Sequence, residues 1–314
     1  MTWQEILRQN ITSWKRLCTF IKMDLPEVKN LDFPLNLPIR LARKIEKGNP
    51  EDPILRQFVP SIEEARQSPL YIADPVGDQK SRCAPKSLRK YEQRILIVST
   101  QACAMHCRYC FRQKFPYARQ RGFAEEIGQI RSDSTLREVI LSGGDPLSLS
   151  DRVLEELIQD LSAIPHLKRL RFHTRFPIGI PERINPSFLK ILSDCPLQTW
   201  FVIHCNHPRE LDSDIFRALK SIQRLGIPVL NQAVLLRGVN DTIEVLQELC
   251  EKLADNGIQP YYLHQLDRVQ GAAHFEVEQE VGRRLIDELR GRVSGYAVPA
   301  YVQEIAGKHS KTPI

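Results

Sequence analysis

From residue 94 onward, short β-branched and aliphatic runs alternate with stretches of helical length, and this alternation restricts the fold more than any other feature of the chain. The runs are Arg94-Ile-Leu-Ile-Val-Ser-Thr, Glu138-Val-Ile-Leu-Ser, Arg169-Leu-Arg-Phe-His-Thr, Thr199-Trp-Phe-Val-Ile-His, Val229-Leu-Asn-Gln-Ala-Val-Leu-Leu and Pro260-Tyr-Tyr-Leu-His. Helix-like segments such as 151–163 and 241–255 part them. Strands joined through helices run parallel, so the pattern predicts an α/β fold. Six strands allow an open doubly wound sheet or a partial barrel. Polar residues at the strand ends (Thr100, Ser142, Thr174, His204, Arg237 and His264) point to the barrel, whose active sites lie at that face. The expected fold is therefore a partial (β/α)6 TIM-like barrel with a helical N-terminal appendage, divided at 1–87, 88–295 and 296–314. The appendage rests on amphipathic segments around Ile6 to Met23 and Leu37 to Lys47, followed by a Pro-rich, polar passage from Asp74 to Ser87.

Composition excludes several classes. No apolar run approaches the length of a membrane span. The first ten residues carry Glu5 and Arg8 where a secretory leader would be basic and then apolar, and eight cysteines fit a reducing compartment, so the expectation is a cytoplasmic protein. The formal net charge of +6 is spread along the chain, and no aromatic-basic motif accompanies it, so direct nucleic-acid binding is not expected.

Chemistry concentrates just after the first strand, in Cys103-Ala-Met-His-Cys-Arg-Tyr-Cys110. Cys103, Cys107 and Cys110 present three thiolates from one loop. A zinc knot wants four ligands, usually in two close pairs, and the other five cysteines are scattered, mostly within apolar runs. A four-iron four-sulfur cluster is normally held by four thiolates, so three leave one iron open to an external molecule. Ser142-Gly-Gly-Asp145 closes the next strand, where glycines let the backbone approach a ligand that a Cβ would exclude. Read alone, it is a strand-to-helix turn with Asp145 near a helix N-terminus.

The C-x3-C-x2-C pattern resembles the radical S-adenosylmethionine enzymes. The resemblance narrows to the lysine 2,3-aminomutases, and within them to the branch that serves β-lysylation of elongation factor P. It is carried by Glu46-Lys-Gly-Asn-Pro, Cys110-Phe-Arg-Gln-Lys-Phe-Pro-Tyr, Ser142-Gly-Gly-Asp-Pro-Leu, Asn231-Gln-Ala-Val-Leu-Leu-Arg-Gly-Val-Asn-Asp, Tyr261-Tyr-Leu-His, Val269-Gln-Gly-Ala-Ala-His-Phe and Ser310-Lys-Thr-Pro. Their order and spacing together are specific where each alone is weak. The resemblance implies a barrel of the radical SAM type and three cofactors: a 4Fe-4S cluster on Cys103, Cys107 and Cys110, S-adenosyl-L-methionine, and pyridoxal 5'-phosphate. Ser142, Gly143, Gly144 and Asp145 would hold the amino group of S-adenosylmethionine. Lys311 would carry pyridoxal phosphate as a Schiff base, which requires a neutral amine at the moment of attack. Lys90 and Arg94 match the positions that bind the cofactor phosphate; Lys90 stands where many members have arginine and would act as a point charge rather than a fork.

For the substrate, L-lysine, Arg112 matches the carboxylate position, and its planar fork suits that group. Asp241 and Glu304 are assigned to the two acidic positions that hold the ε-ammonium, Glu304 replacing the aspartate of the free-lysine enzymes. His204 is expected to line the pocket, with His173, Arg175 and His264 supporting it. The implied reaction moves the amino group of lysine from Cα to Cβ after a radical derived from S-adenosylmethionine takes a β-hydrogen. The implied partners are an electron donor such as flavodoxin or ferredoxin, and a functional link to elongation factor P and its lysyl-ligase. An aminomutase making free β-lysine or acting on another amino acid is one alternative, although Asp241 and Glu304 would repel an acidic substrate such as glutamate. A cluster- or zinc-containing RNA-binding protein is the other.

Overall fold

The computed structural model describes residues 1–28 and 33–314. Ten strands form one sheet in chain order among the described residues: β1 (Arg82–Ala84), β2 (Ser87–Leu88), β3 (Arg94–Val98), β4 (Glu138–Ser142), β5 (Arg169–Thr174), β6 (Gln198–His204), β7 (Val229–Val234), β8 (Gln259–His264), β9 (Ala300–Gln303) and β10 (Thr312–Pro313). From β3 to β9 every neighbouring pair is parallel; β1, β2 and β10 run antiparallel at the two edges. All six runs read from the sequence are strands of this partial barrel. β9 is a seventh parallel strand beyond the six expected.

The strands are apolar on both faces because helices cover one side and the barrel interior the other. β3 buries Ile95, Ile97 and Val98, and β4 buries Val139, Ile140 and Leu141. The covering helices have the matching period. Asp151–Ser162 buries Leu154, Leu157, Ile158 and Leu161, at i, i+3, i+4 and i+7, and starts where Ser150 accepts a hydrogen bond from the Val153 amide. Ser213–Gln223 buries Ile215, Leu219 and Ile222 behind an Asp212 cap. Among the described residues no helix is long and apolar enough to cross a membrane.

The N-terminal region differs from the sequence reading in detail. Ile6 to Met23 is broken into two helices, Trp3–Arg8 and Trp14–Ile21, because the backbone of Ile11 pairs with Leu37 instead of continuing a helix. The second segment is helical only over Ile39–Ala42. The boundary set at residue 87 falls inside β2, and Trp3, Ile11, Leu17, Ile54 and Phe58 belong to the same apolar core as Ile95, Leu141 and Phe172. The N-terminal helices thus share the barrel's core.

Candidate active site

A cavity of about 340 Å³ opens at the C-terminal ends of the parallel strands. Its lining includes all three loop cysteines, Lys90, Arg94, Arg112, Ser142 to Asp145, Glu304 and Lys311. Twelve of the thirteen site residues expected from the sequence therefore meet in one place. Asp241 does not.

The cysteine loop is held from two sides. From the N-terminal region, the Asn36 side chain donates to the Cys103 carbonyl (3.2 Å), Asn10 donates to the Ala104 carbonyl (2.7 Å), and the Arg108 guanidinium pairs with Glu64. From the barrel, the Ser99 amide donates to the Ser142 carbonyl (2.9 Å), Gly144 to Thr100 (2.7 Å) and Asp145 to Ala102 (2.8 Å). The two glycines make this clamp possible. A Cβ on Gly143, whose φ is +118°, would sit 2.9 Å from the Ser99 nitrogen, and one on Gly144 would press into the Gln101 and Ala102 carbonyls. What approaches these glycines so closely is the cysteine loop, where the sequence reading placed a ligand.

Asp145 is equally engaged. Its carboxylate accepts from the Leu147 amide (3.0 Å), the Thr174 hydroxyl (2.7 Å) and the amides of Arg175 (2.8 Å) and Phe176 (3.0 Å). Four donors match the capacity of a carboxylate. Burial pushes this carboxyl up to about 6, against those hydrogen bonds. The side chain that resemblance assigned to S-adenosylmethionine thus caps the turn and fixes the start of the loop after β5.

Cys103, Cys107 and Cys110 all line the cavity and are close enough to perturb one another. Thiols gathered in this way could each meet a different iron of one cluster. Burial pushes the Cys103 thiol well up and Cys110 up to about 11, a cost that cluster irons would offset by binding the thiolates. Beside them, the Nε2 atoms of His173, His204 and His264 and the Oε1 of Gln232 line the cavity without a hydrogen-bond partner among the described residues. Burial lowers all three histidines, His204 to about 3, so they are neutral hydrogen-bonding groups. Unpartnered polar atoms in a cavity suit a ligand rich in hydroxyls and ring nitrogens.

The charged groups form a chain of pairs. Lys311 Nζ lies 2.9 Å from Glu304 Oε2, and the Tyr91 hydroxyl donates to Glu304 Oε1 (2.6 Å). Lys90 lies 3.6 Å from Glu304 and 2.7 Å from Asp78, whose other oxygen accepts from Arg112 Nε at 2.7 Å. Arg112 Nη1 also donates to Ser142 Oγ (3.2 Å). Burial opposes ionisation of Asp78, but Arg112 and Lys90 outweigh it and hold the carboxyl below its ordinary range. For Glu304, burial is outweighed by Lys311, Tyr91 and Lys90 in the same way. Arg94 lines the cavity with its guanidinium over the Tyr91 ring.

Asp241 sits instead in the turn after β7, where its carboxylate accepts from the Gly238 amide (2.9 Å). The following helix, Ile243–Ala254, starts from Thr242, so Asp241 is not the helix cap either. An acidic residue that reaches the cavity and that the sequence reading did not name is Asp267, three residues past β8. Its carboxyl has no hydrogen bond or ion pair among the described residues, and burial pushes it up to about 7 despite the nearby Lys311. The rule that barrel sites lie beyond the strand ends could have found it. Asp78 was hidden by its setting, since a Pro-rich polar passage reads as a linker; the Asp74 carboxylate accepts from the Asp78 amide (2.8 Å) and turns that side chain inward.

Residues 97–253 match the Radical SAM superfamily. The chain is 44% identical over 286 residues to an L-lysine 2,3-aminomutase from Escherichia coli (strain K12), covering 90% of this chain and 83% of that protein. It is 41% identical over 322 residues to the protein of the same name from Haemophilus influenzae, covering 99% and 94%. A third, from Clostridium subterminale, is 34% identical, covering 99% and 77%. Among solved structures, a radical SAM methyltransferase from Sphaerobacter thermophilus superposes with a TM-score of 0.51 at 19% identity, over 69% of this chain and 68% of that one, a likeness of fold.

Proposed function

This chain belongs to the L-lysine 2,3-aminomutases of the Radical SAM superfamily, and from that premise we propose that it converts L-lysine to β-lysine with a 4Fe-4S cluster, S-adenosylmethionine and pyridoxal phosphate. The observation that supports this reading most is the gathering of three thiols, a cationic Lys90–Arg94–Lys311 group, a buried Arg112 and two acids, Asp267 and Glu304, around one cavity. The cluster and S-adenosylmethionine supply one-electron chemistry able to remove a hydrogen from an unactivated carbon, and pyridoxal phosphate supplies the π-system through which an amino nitrogen can migrate.

The protein's own part is binding and exclusion of water. Cys103, Cys107 and Cys110 would hold the cluster. Lys311 would join the pyridoxal carbonyl carbon, with Lys90 and Arg94 on the phosphate. Arg112 would take the substrate carboxylate, for which its buried fork is already oriented by Asp78 and Ser142. Asp267 and Glu304 would take the ε-ammonium, in place of the Asp241 and Glu304 pair. An ammonium enters a largely dry pocket only if anions replace its hydration. We assign the product to modification of elongation factor P on the likeness to that branch of the whole set of runs from Glu46-Lys-Gly-Asn-Pro to Ser310-Lys-Thr-Pro.

Mass spectrometry of lysine incubated with anaerobically reconstituted, reduced protein and S-adenosylmethionine tests the activity. β-Lysine should form, and a Cys107→Ala variant should form none. Iron-loaded protein that cleaves S-adenosylmethionine but leaves lysine unchanged would overturn the substrate assignment.

A further inference from the structure

The guanidinium of Arg175 reaches the middle cysteine. Its Nη1 donates to Cys107 Sγ at 3.1 Å, while its Nη2 donates to Glu210 Oε2 at 2.6 Å and to Gln57 Oε1 at 2.8 Å. The group is almost fully enclosed, with 7% of the Arg175 side chain and none of Glu210 exposed. Phe58 and Tyr109 pack their rings against it at 4.7 and 5.5 Å. Nothing here is left to rotate. The Arg175 amide is pinned by Asp145, and the second oxygen of Glu210 accepts from the amides of Asn206 (3.0 Å) and His207 (2.9 Å).

A buried arginine–carboxylate pair is costly to desolvate, and an apolar pair would pack this space as well or better. A fixed orientation with the cation towards a cysteine sulfur gives the pair a purpose beyond packing. We propose that Arg175 is a positioning residue that sets the reduction potential of the cluster through its hydrogen bond and charge at Cys107, with Glu210 behind it setting the opposite bias. This rests on the reading that Cys103, Cys107 and Cys110 hold a cluster.

The electron balance is simple. An external low-potential one-electron donor is oxidised, the cluster accepts one electron and becomes one unit more negative, and no proton or covalent bond changes hands. A donor N–H and a positive charge at a ligand sulfur stabilise the more negative state, so Arg175 raises the potential. The Glu210 carboxylate lies beyond Arg175 and lowers it. The pair is nearly neutral overall, so its effect comes from which end faces the sulfur.

Arg175→Lys and Glu210→Gln separate this from a merely structural role. Lysine keeps a cation near Glu210 but lacks the fork that serves Glu210 and Cys107 together. The experiment is a potentiometric titration with dithionite, followed by electron paramagnetic resonance of the reduced cluster, on the full chain after iron and sulfide are counted. Arg175→Lys should lower the reduced-to-oxidised ratio at a fixed potential about tenfold, equivalent to about 59 mV for one electron, and Glu210→Gln should raise it. Midpoints unchanged in iron-loaded variants, or moving in the same direction, overturn the proposal. If Arg175→Lys does not load iron, Glu210→Gln decides alone: an upward shift supports the proposal and an unchanged midpoint overturns it. Unmodified protein that binds no iron overturns the cluster reading itself, and the iron count reports that before any titration.

Discussion

Replacing Asp267 by asparagine should make the empty protein more stable in alkaline solution while depriving it of its substrate. The carboxyl lines the cavity, faces Lys311, Glu304, Lys90 and Asp78 at a distance, and is pushed by burial from 3.8 up to about 7. Between those two values the folded chain keeps a proton that the unfolded chain has released. Stability therefore falls as pH rises through this window, and the whole cost is present above pH 7. A gap of about three pH units corresponds to about 4 kcal/mol as a ceiling. The carboxyl opens into a cavity that water can enter, and screening should reduce this to about 2 kcal/mol. Asparagine has the same shape and cannot ionise, so the variant should match the parent near pH 4 and exceed it by about that amount at pH 8, a few degrees in melting temperature. Lysine turnover should fall by the roughly 2–5 kcal/mol associated with removing one member of a buried charge pair. Thermal unfolding at pH 5 and pH 8, alongside lysine kinetics, reads both arms. An Asp267→Asn protein that keeps the parent's pH slope, or keeps its lysine turnover, would refute the reasoning.

Borohydride reduction of the pyridoxal-loaded protein and peptide mapping should place the adduct on Lys311, the lysine whose amine faces the cavity beside Glu304; an adduct confined to Lys90 would reassign the role. Glu304→Gln should cut lysine turnover at least tenfold, since it removes a carboxylate shared by Lys311, Tyr91 and Lys90, whereas Asp241→Asn should leave steady-state kinetics unchanged because that carboxylate only ties a turn. Gly144→Ala should cost about 1–3 kcal/mol and lower iron retention, because its Cβ meets the backbone of the cysteine loop; undiminished iron content would show that the loop can move away.

The sequence displayed the barrel clearly because each parallel strand is a short apolar run set between helices of matching period, and local pattern is enough to read both. β9 escaped because Ala300–Gln303 spans four residues, of which only Tyr301 and Val302 are buried, too short a run to read as a strand. Cavity-lining residues were legible where they sit in motifs, as with Cys103 to Cys110 and Ser310-Lys311. Asp241 drew an assignment because it closes a recognisable run, whereas its carboxylate lies outside the cavity lining and accepts from Gly238 within its own turn. Asp267 stood out only by its place beyond a strand end, and Asp78 not at all, since what marks them is burial beside Lys311 in one case and between Lys90 and Arg112 in the other. Both are products of tertiary packing.

The same packing explains how residues so far apart in the chain come to share a site. The sheet does not close on itself, so its first parallel strand, β3, and the final hairpin, β9 with β10, flank an opening. Lys90 and Tyr91, just before β3, meet Glu304, just after β9, across that opening, and Glu304 in turn pairs with Lys311, just before β10. Backbone hydrogen bonds hold every other neighbouring pair of strands, whereas here the contact is made by side chains, an ion pair at 3.6 Å and a hydroxyl at 2.6 Å. Side-chain contacts of this kind can be exchanged for contacts to a ligand without breaking a ladder. The charges also compensate one another in part. Asp78 and Glu304 between them offset two of the three positive charges of Lys90, Arg112 and Lys311, which lets these cations be buried before any ligand arrives and leaves the group net positive. An anionic phosphate or carboxylate entering the cavity therefore competes with carboxylates already in place, and its affinity measures how much better it fits the guanidinium fork and the paired ammonium groups than Asp78 and Glu304 do.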